Sequence, residues 1–548
     1  MKTPLYRACR KSNVVVCPWP GGWAKSIVAP TRPPSNLTHL SFPQTHLHFL
    51  WRLGSRHTDN SIMRITLRLA LRFLGAIAFV AIVVFSFSQS NLAYKALNDH
   101  LPTYKGPPTT PTALTINTTQ PVNSIQELWA VWVQAYEAAR PDAAKIELVF
   151  NAANLPVSAY DQSPRRQHRE LLQGLEAIPA LQAAHSNFTS LLQSWPDRLA
   201  GNIFNGTGVV IVGGGEYFGP AVIGIHMLRR SGSKLPVQMF VTDEAEYEHK
   251  LCKDYLPKLG AECLILSDFI QGFEVTHYQL KSLAMLLSSF EHVLYLDSDS
   301  IPLLNPETEL FANEPYTSTG LVIWPDFWIS SESPSFYTVA GLGKMPSDLP
   351  EASSEAGQLL INKRTHIKTL LLAVYYNIYG PDFYYPLLSQ GALGQGDKET
   401  FLAAAMVLDN SYYRVKTGVR AIGREDGIEQ KGSGMIQVDP FADYQKQKED
   451  KSDQPRAAFI HANTPKMNAG HLVDEGDLLT ATDHKPLRLW GPRDEQIKEF
   501  GLDLEKTVWE LVVQTGCELA DMIREWSDRK DLCRRLNEHW DAVFKDST

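Results

Sequence analysis

The residues of this chain best suited to chemistry are Asp297 and Asp299, which flank Ser298 and follow the apolar run His292-Val-Leu-Tyr-Leu296. Such a run reads as a strand, and acids at its end would sit at the carboxyl edge of a sheet, where α/β folds bind ligands. Two hard carboxylates there suit Mg²⁺ or Mn²⁺ holding a diphosphate. A D-x-D triplet also arises by chance, and a solvated acidic strand end is the alternative reading. A second β-branched run ends in Gly213-Gly214-Gly215. This turn fails the dinucleotide fingerprint, because the sixth position from Gly213 is Phe218 and Gly219 comes one residue late. An NAD site is disfavoured, while a tight turn beside a nucleotide and a plain strand-to-helix turn both stay open. Asp397 and Glu399, in Gly394-Gln-Gly-Asp-Lys-Glu-Thr400, open a helix, where acids often act only as caps. Trp324-Pro-Asp326-Phe-Trp328 joins two aromatics to an acid, as sugar-stacking faces do and as aromatic cores equally do. His461 lies in Phe459-Ile-His-Ala-Asn463, which reads as a late strand, with Lys466 five residues on.

The elements that must position these groups alternate. Strands are expected over Gly208–Val212, Val237–Thr242, Glu262–Leu266 and His292–Leu296, with helices from Pro220 to Gly232, Glu244 to Leu259 and Gln279 to Phe290. Strands alternating with helices mean βαβ units, hence an α/β fold with a mainly parallel sheet. Residues 124–200 place apolar side chains at helical spacing and read as a helical lead-in to a catalytic domain over 201–480. The tail, 481–548, reads as two helices, Leu504–Trp526 and Leu532–Phe544, broken by Ser527-Asp-Arg-Lys-Asp531. Paired antiparallel, they set Cys517 and Cys533 about 6 Å apart in axial height. A modest tilt brings that within the ~4.4–6.8 Å a disulfide requires. Cys517–Cys533 and Cys252–Cys263 are therefore the expected bridges, against the alternative of unpaired buried thiols; no C-x-x-C spacing suggests zinc.

The chain has 548 residues, 44% of them hydrophobic and 20% charged, a net charge of −8 and a pI near 6.1. That allows one large catalytic-size domain with accessory parts and argues against nucleic acid as a partner. The charge is uneven: Met1 to Arg72 holds eleven Lys/Arg and one acid, Asp59, a net +10 that leaves −18 for the remainder. Leu69 to Phe87 is apolar apart from Arg72 and would span about 28 Å as a helix, close to the roughly 30 Å hydrocarbon core. Arg64, Arg68 and Arg72 on its N-terminal side predict a single-pass type II anchor over 69–88, with the C-terminal mass lumenal. A cleaved signal peptide is the weaker reading, since no A-x-A site follows. Residues 1–68 would then be cytosolic, and 1–62, without periodicity, read as an extension to which no function is given. Residues 89–123 include a Pro/Thr-rich stretch and form a stem. Sequons at Asn117, Asn187 and Asn205 fall on the lumenal side, whereas the one at Asn36 does not.

The blocks LPVQMFV, LKSLAMLLSSFEHVLYLDSDSIPL, LFANEPYTSTGLVIWPDFW, EAGQLLINKRTH, GPDFYYPLLSQGALGQGDKETFLAAA and FIHANTPK follow one another between about Gly208 and Lys466. Together they resemble the fungal Golgi α-mannosyltransferases of outer-chain mannan synthesis, glycosyltransferase family 71. The resemblance implies a GT-A fold, GDP-mannose as donor, Mn²⁺ as cofactor, a mannose-terminated glycan as acceptor and a type II Golgi membrane anchor; a complex with other mannosyltransferases is a further candidate partner. It makes Asp299 a direct metal ligand, Asp297 a ligand to the metal or the donor ribose, and His461 the third ligand. It puts Lys466 on the diphosphate, although a solvated loop lysine is the alternative, and the Gly213-Gly214 turn beside the donor. In a retaining transferase a carboxylate must face the anomeric carbon or position the acceptor hydroxyl, and Asp397 and Glu399 are the best-placed acids. Gln358, with Glu355 three residues before it, would line the pocket; Trp324, Asp326 and Trp328 would hold the donor or acceptor sugar. The WPDFW and GQGDKETF blocks favour α-1,2 over α-1,3 linkage. Another metal-dependent nucleotide-sugar transferase, and a catalytically silent scaffold subunit, are the competing readings.

Overall fold

The computed structural model describes residues 122–149, 170–195, 203–270, 275–449 and 453–545. Four short apolar runs form the parallel half of its main sheet: β1 (Thr207–Val212), β2 (Val237–Val241), β3 (Ala261–Ile265) and β4 (His292–Leu296). Their β-branched and aromatic residues suit a pleated surface covered on both faces, and helical crossovers return the chain to the same edge each time. With β6 (Leu321–Ile329), β7 (Ala352–Asn362) and β8 (Tyr413–Arg414) they make seven strands in the order β8-β6-β7-β4-β1-β2-β3. Every pairing is parallel except those of β7, which runs antiparallel to both β4 and β6. The sheet is thus mainly parallel, as expected, with one reversed strand at its middle.

A second sheet was not anticipated. β5 (Ser300–Pro302), β9 (Arg420–Glu425), β10 (Gln430–Val438) and β11 (Ala457–His461) form an antiparallel set in the order β9-β10-β11-β5. Only three residues separate β4 in the first sheet from β5 in the second, and these are Asp297, Ser298 and Asp299.

Among the helices, α1 (Ile125–Ala138) and α2 (Ile178–Ser194) form the lead-in. They pack through Trp132, Tyr136, Phe188 and Trp195, and Phe188 stacks at 4.4 Å on Tyr375 of α5 (Lys363–Ile378). α3 (Phe218–Arg230) and α4 (Gln279–Leu287) cover the parallel strands, and α6 (Thr400–Val407) follows the GQGDKE segment. The expected helix from Glu244 to Leu259 is broken. Asp243 caps a single tight turn over Glu244–Glu246, the chain extends at Tyr247, and the later helical run passes from a wide turn at Leu251–Tyr255 into a tight one at Leu256–Leu259. Pro257 has no N–H with which to continue a regular ladder there. Cys252 in the wide turn bridges to Cys263 on β3, with Cα atoms 5.5 Å apart.

The tail differs in one respect. α7 (Leu504–Glu518) stops eight residues short of Trp526, because the chain turns extended at Ile523 to bring that ring into the core. α8 (Leu532–Val543) returns alongside, and Cys517 bridges to Cys533 at a Cα separation of 4.6 Å. Val508, Leu511, Val512, Ile523 and Trp526 share a hydrophobic core with Val209, Phe218 and Ile225, so the tail is packed onto α3 and the parallel strands. Asn187 and Asn205 are exposed. No helix among the described residues is long and apolar enough to cross a membrane; the expected anchor at 69–88, the stem as far as residue 121 and Asn117 lie outside them.

Candidate active site

The acid pair is fixed by both sheets. The Asp297 N–H donates to the Gly357 carbonyl of β7 at 2.8 Å, while the Asp299 carbonyl accepts from Ala462 N–H, just past β11, at 2.9 Å. That arrangement, with Ser300 opposite His461 in the β5–β11 register, gathers Asp297, Asp299 and His461 so that one ligand atom from each lies within 4.8 Å of the others. The three expected metal ligands therefore meet. His461 Nε2 is 3.1 Å from Asp299 Oδ1, and its Nδ1 is 3.3 Å from Glu355 Oε1. Lys466 Nζ donates to the other Asp299 oxygen.

Burial alone would raise the Asp299 pKa, but His461 and Lys466 outweigh it and hold the carboxyl well below the usual carboxylate range. Burial likewise works against a charged His461, yet Asp299 and Glu355 raise its pKa well above the ordinary imidazole value. Glu355 is pulled down to about 2, with burial opposed chiefly by His461. Asp299 and Glu355 are thus ionised, and an imidazolium and an ammonium stand against them. Two carboxylates and one imidazole are a donor set that fits Mn²⁺ or a similar divalent cation, whose charge would take over from the imidazole proton and the Lys466 ammonium.

Gly357 is required here by close approach. A Cβ at this position would lie 2.6 Å from His461 Nδ1 and 2.8 Å from Glu355 Oε1. Gly357→Ala should disturb the carboxylate that orients the histidine and weaken metal affinity about tenfold, the lower end of what outer-shell changes cost. A Mn²⁺ titration of the purified variant checks this; unchanged affinity would show that the His461–Glu355 contact does not matter for the cation.

A second charged group adjoins the first through Lys281, the single charged residue of α4. Its Nζ lies 3.2 Å from Asp297 Oδ1 and 3.1 Å from Asp397 Oδ2, and donates to the Ala356 carbonyl at 2.7 Å. Tyr295 OH donates to Asp297 Oδ1 at 2.8 Å. Burial pushes the Asp397 pKa up to about 6, with Lys281 pulling it down. Sequence reasoning passed over Lys281; the available signal was a lone cation in a helix otherwise rich in Leu, Ala and Met, which calls for a buried polar partner.

The remaining expected residues divide. Glu399 does not cap α6: its two oxygens accept from Ser354 N–H and Oγ, each at 2.8 Å, which fastens the helix start to β7. Asp326 is buried with Lys398 Nζ at 2.8 Å on one oxygen and Phe327 N–H at 2.6 Å on the other, so each oxygen already has a protein partner. Trp324 corrects the expectation of a sugar platform. It is fully buried, its Nε1–H donates to the Val438 carbonyl at 2.9 Å, and it meets Phe459 edge-on, because alternation on β6 turns it into the core between the sheets. Trp328, near the outer end of β6, is half-buried. Gln358, opposite Leu296 in the β4–β7 register, is fully buried, and neither polar atom of its side chain has a hydrogen-bond partner among the described residues. Gly213 and Gly214 close the carboxyl end of β1, next to β4, with Gly214 at φ +109°. The turn reaches the acid cluster through Tyr217, whose ring centre is 5.6 Å from Lys466 Nζ.

Acids and an imidazole at the carboxyl edge of an α/β sheet, beside a glycine turn and a lysine, make a centre suited to a divalent cation and a diphosphate. A mannosyltransferase family model matches residues 206–349 and 342–440, which contain both acids. Alpha-1,2-mannosyltransferase MNN2 of Candida albicans is 31% identical over 414 residues, covering 68% of this chain and 67% of that one. Alpha-1,2-mannosyltransferase MNN21 of the same organism is 36% identical over 66% of this chain and 65% of its own length. MNN2 of Saccharomyces cerevisiae is 38% identical over 44% of this chain and 47% of its own length. The chain belongs to this fungal mannosyltransferase family, and it spans from about half to about two thirds of the length of these curated relatives.

Proposed function

We propose that this chain transfers mannose from GDP-mannose to the terminal mannose of a glycan, forming an α-1,2 linkage with retention of configuration and using Mn²⁺. It would act on the lumenal side of the Golgi membrane, held by residues 69–88 and working beside other mannosyltransferases. The observation that carries this reading is the meeting of Asp297, Asp299 and His461 at the carboxyl end of β4 in a chain whose relatives are named alpha-1,2-mannosyltransferases.

A divalent cation bound there supplies positive charge for the diphosphate leaving group as the sugar–oxygen bond breaks. The chain's own residues do the rest. Asp297 and Asp299 hold that position from two sheets, and Glu355 orients His461 through Nδ1 so that Nε2 faces the acids. Lys466 is placed to move from Asp299 to an incoming phosphate. Of the two acids in the GQGDKE segment, Glu399 is occupied by Ser354, which leaves Asp397 to face the anomeric carbon, steadied by Lys281.

The test is a panel of GDP- and UDP-sugars with a mannose-terminated acceptor, followed by linkage analysis of the product. GDP-mannose alone should be used, giving an α-1,2 product; EDTA should stop transfer and Mn²⁺ restore it. Use of a UDP-sugar instead would make this a different transferase, and full activity in excess chelator would remove the three metal ligands together.

A further inference from the structure

We propose that Trp526, in the C-terminal tail, is a positioning residue for the donor edge of the site; this rests on the function proposed above. Its indole fills a notch made by two glycines from different parts of the chain. A Cβ at Gly219, in the first turn of α3, would lie 2.6 Å from the ring, and one at Gly470, just after the Lys466 loop, would lie 2.7 Å from it. Both segments are therefore shaped to admit this ring.

The indole also sets a polar group. Nε1–H donates to Asn468 Oδ1 at 3.0 Å, the oxygen that also accepts from Gly470 N–H at 2.9 Å and His471 N–H at 3.3 Å, and because all three groups only donate, together they fix which end of the amide faces the ring. Asn468 Nδ2 then points the other way and donates to the Glu216 carbonyl at 2.8 Å, in the glycine turn after β1. The Asn468 backbone N–H donates to the Lys466 carbonyl at 2.7 Å. One buried amide thus joins the turn that carries Gly213 and Gly214 to the loop that carries Lys466. These are the two pieces of backbone between which a nucleoside diphosphate would lie, and the tail holds the amide that spaces them. The tail itself is closed by Cys517–Cys533 and packed on α3, which makes it a firm support.

The role predicts an effect on donor binding that a general packing role would not produce. Trp526→Phe keeps most of the ring in the notch but removes the N–H; Asn468→Ala removes the amide. Each should raise the Kd for GDP in the presence of Mn²⁺, by calorimetry on the purified chain, roughly five- to tenfold. The donor KM should rise in step while kcat and the acceptor KM stay within about twofold. The double variant should be no weaker than the worse single one, because both changes break the same connection. Melting temperatures identify any variant that has lost its fold. If wild type binds GDP and both folded variants bind it equally well, the Trp526 proposal is overturned and the function stands. If wild type binds neither GDP nor UDP with Mn²⁺, the functional reading itself has failed and this one falls with it.

Discussion

Asp299→Asn lowers the transfer rate by about a thousandfold or more while leaving the protein folded. The expectation comes from the position of this side chain, which is buried against His461 and Lys466 and offers one oxygen to each. An amide of the same shape cannot supply the anionic oxygen a divalent cation needs, and loss of charge stabilisation at a leaving group costs several kcal/mol of barrier. Folding survives for a separate reason: His461 keeps Glu355 as its partner, and the Asp299 carbonyl bond to Ala462 belongs to the backbone. Initial rates at saturating donor, with a thermal melt of the same preparation, measure both. A rate within tenfold of wild type would sink the metal assignment, and unchanged glycan output in cells would favour the scaffold reading.

Lys281→Met should be nearly as damaging, by a different route. The ammonium is shared between the half-buried Asp297 and the buried Asp397, and a neutral side chain leaves both without that counter-charge. Breaking a buried pair in this way costs about 3–5 kcal/mol of stability. It should also misplace both acids and reduce kcat by about a hundredfold. The pH dependence is the distinctive part. Asp397 is already pushed up to about 6 by burial, and Lys281 is what holds it down. Without the lysine its pKa rises, the carboxyl stays protonated to higher pH, and the acid limb of the kcat profile moves upward. Adding Asp397→Asn should recover part of the lost stability, since it removes one of the stranded charges, without recovering activity. An acid limb that stays in place would dissociate Asp397 from the reaction.

The meeting of Asp297, Asp299 and His461 was legible because it is carried by residue type and by local context: an apolar strand followed at once by two acids, and a histidine ending a late apolar strand. Strands β1 to β4 were legible for the same reason, each being a short apolar run set off from the next by a segment at helical spacing. The reversed strand β7 was not, because Ala352–Asn362 holds Ser, Glu and Gly where a core strand would show Val or Ile, and those residues are there to build the site. Trp324 shows the converse error. A Trp-Pro-Asp-Phe-Trp sequence contains the side chains of a sugar platform, but facing is decided by strand alternation, and β6 turns its first tryptophan inward. The protein partners of Glu399 and Asp326 were not legible, because Ser354 and Lys398, which pair with them, come from distant or unremarked positions. Partnership across the fold is what a linear pattern withholds.

The acid pair lies on the seam where the chain leaves one sheet for the other, with Asp297 fastened to β7 and Asp299 to the residue after His461. Side chains along a strand alternate between faces, so a slip of one residue in either pairing turns an entire ligand set away from its partners. A copy of this protein with β11 displaced by one step could be compact and well packed, yet it would present Ile460 or Ala462 where His461 belongs. The site therefore works as a vernier, in which two independent scales must coincide before three ligand atoms line up. The competence of the site is accordingly a report on register, and small errors of assembly that leave solubility and helix content untouched would show in cation binding and in the proposed transfer rather than in tests of folding.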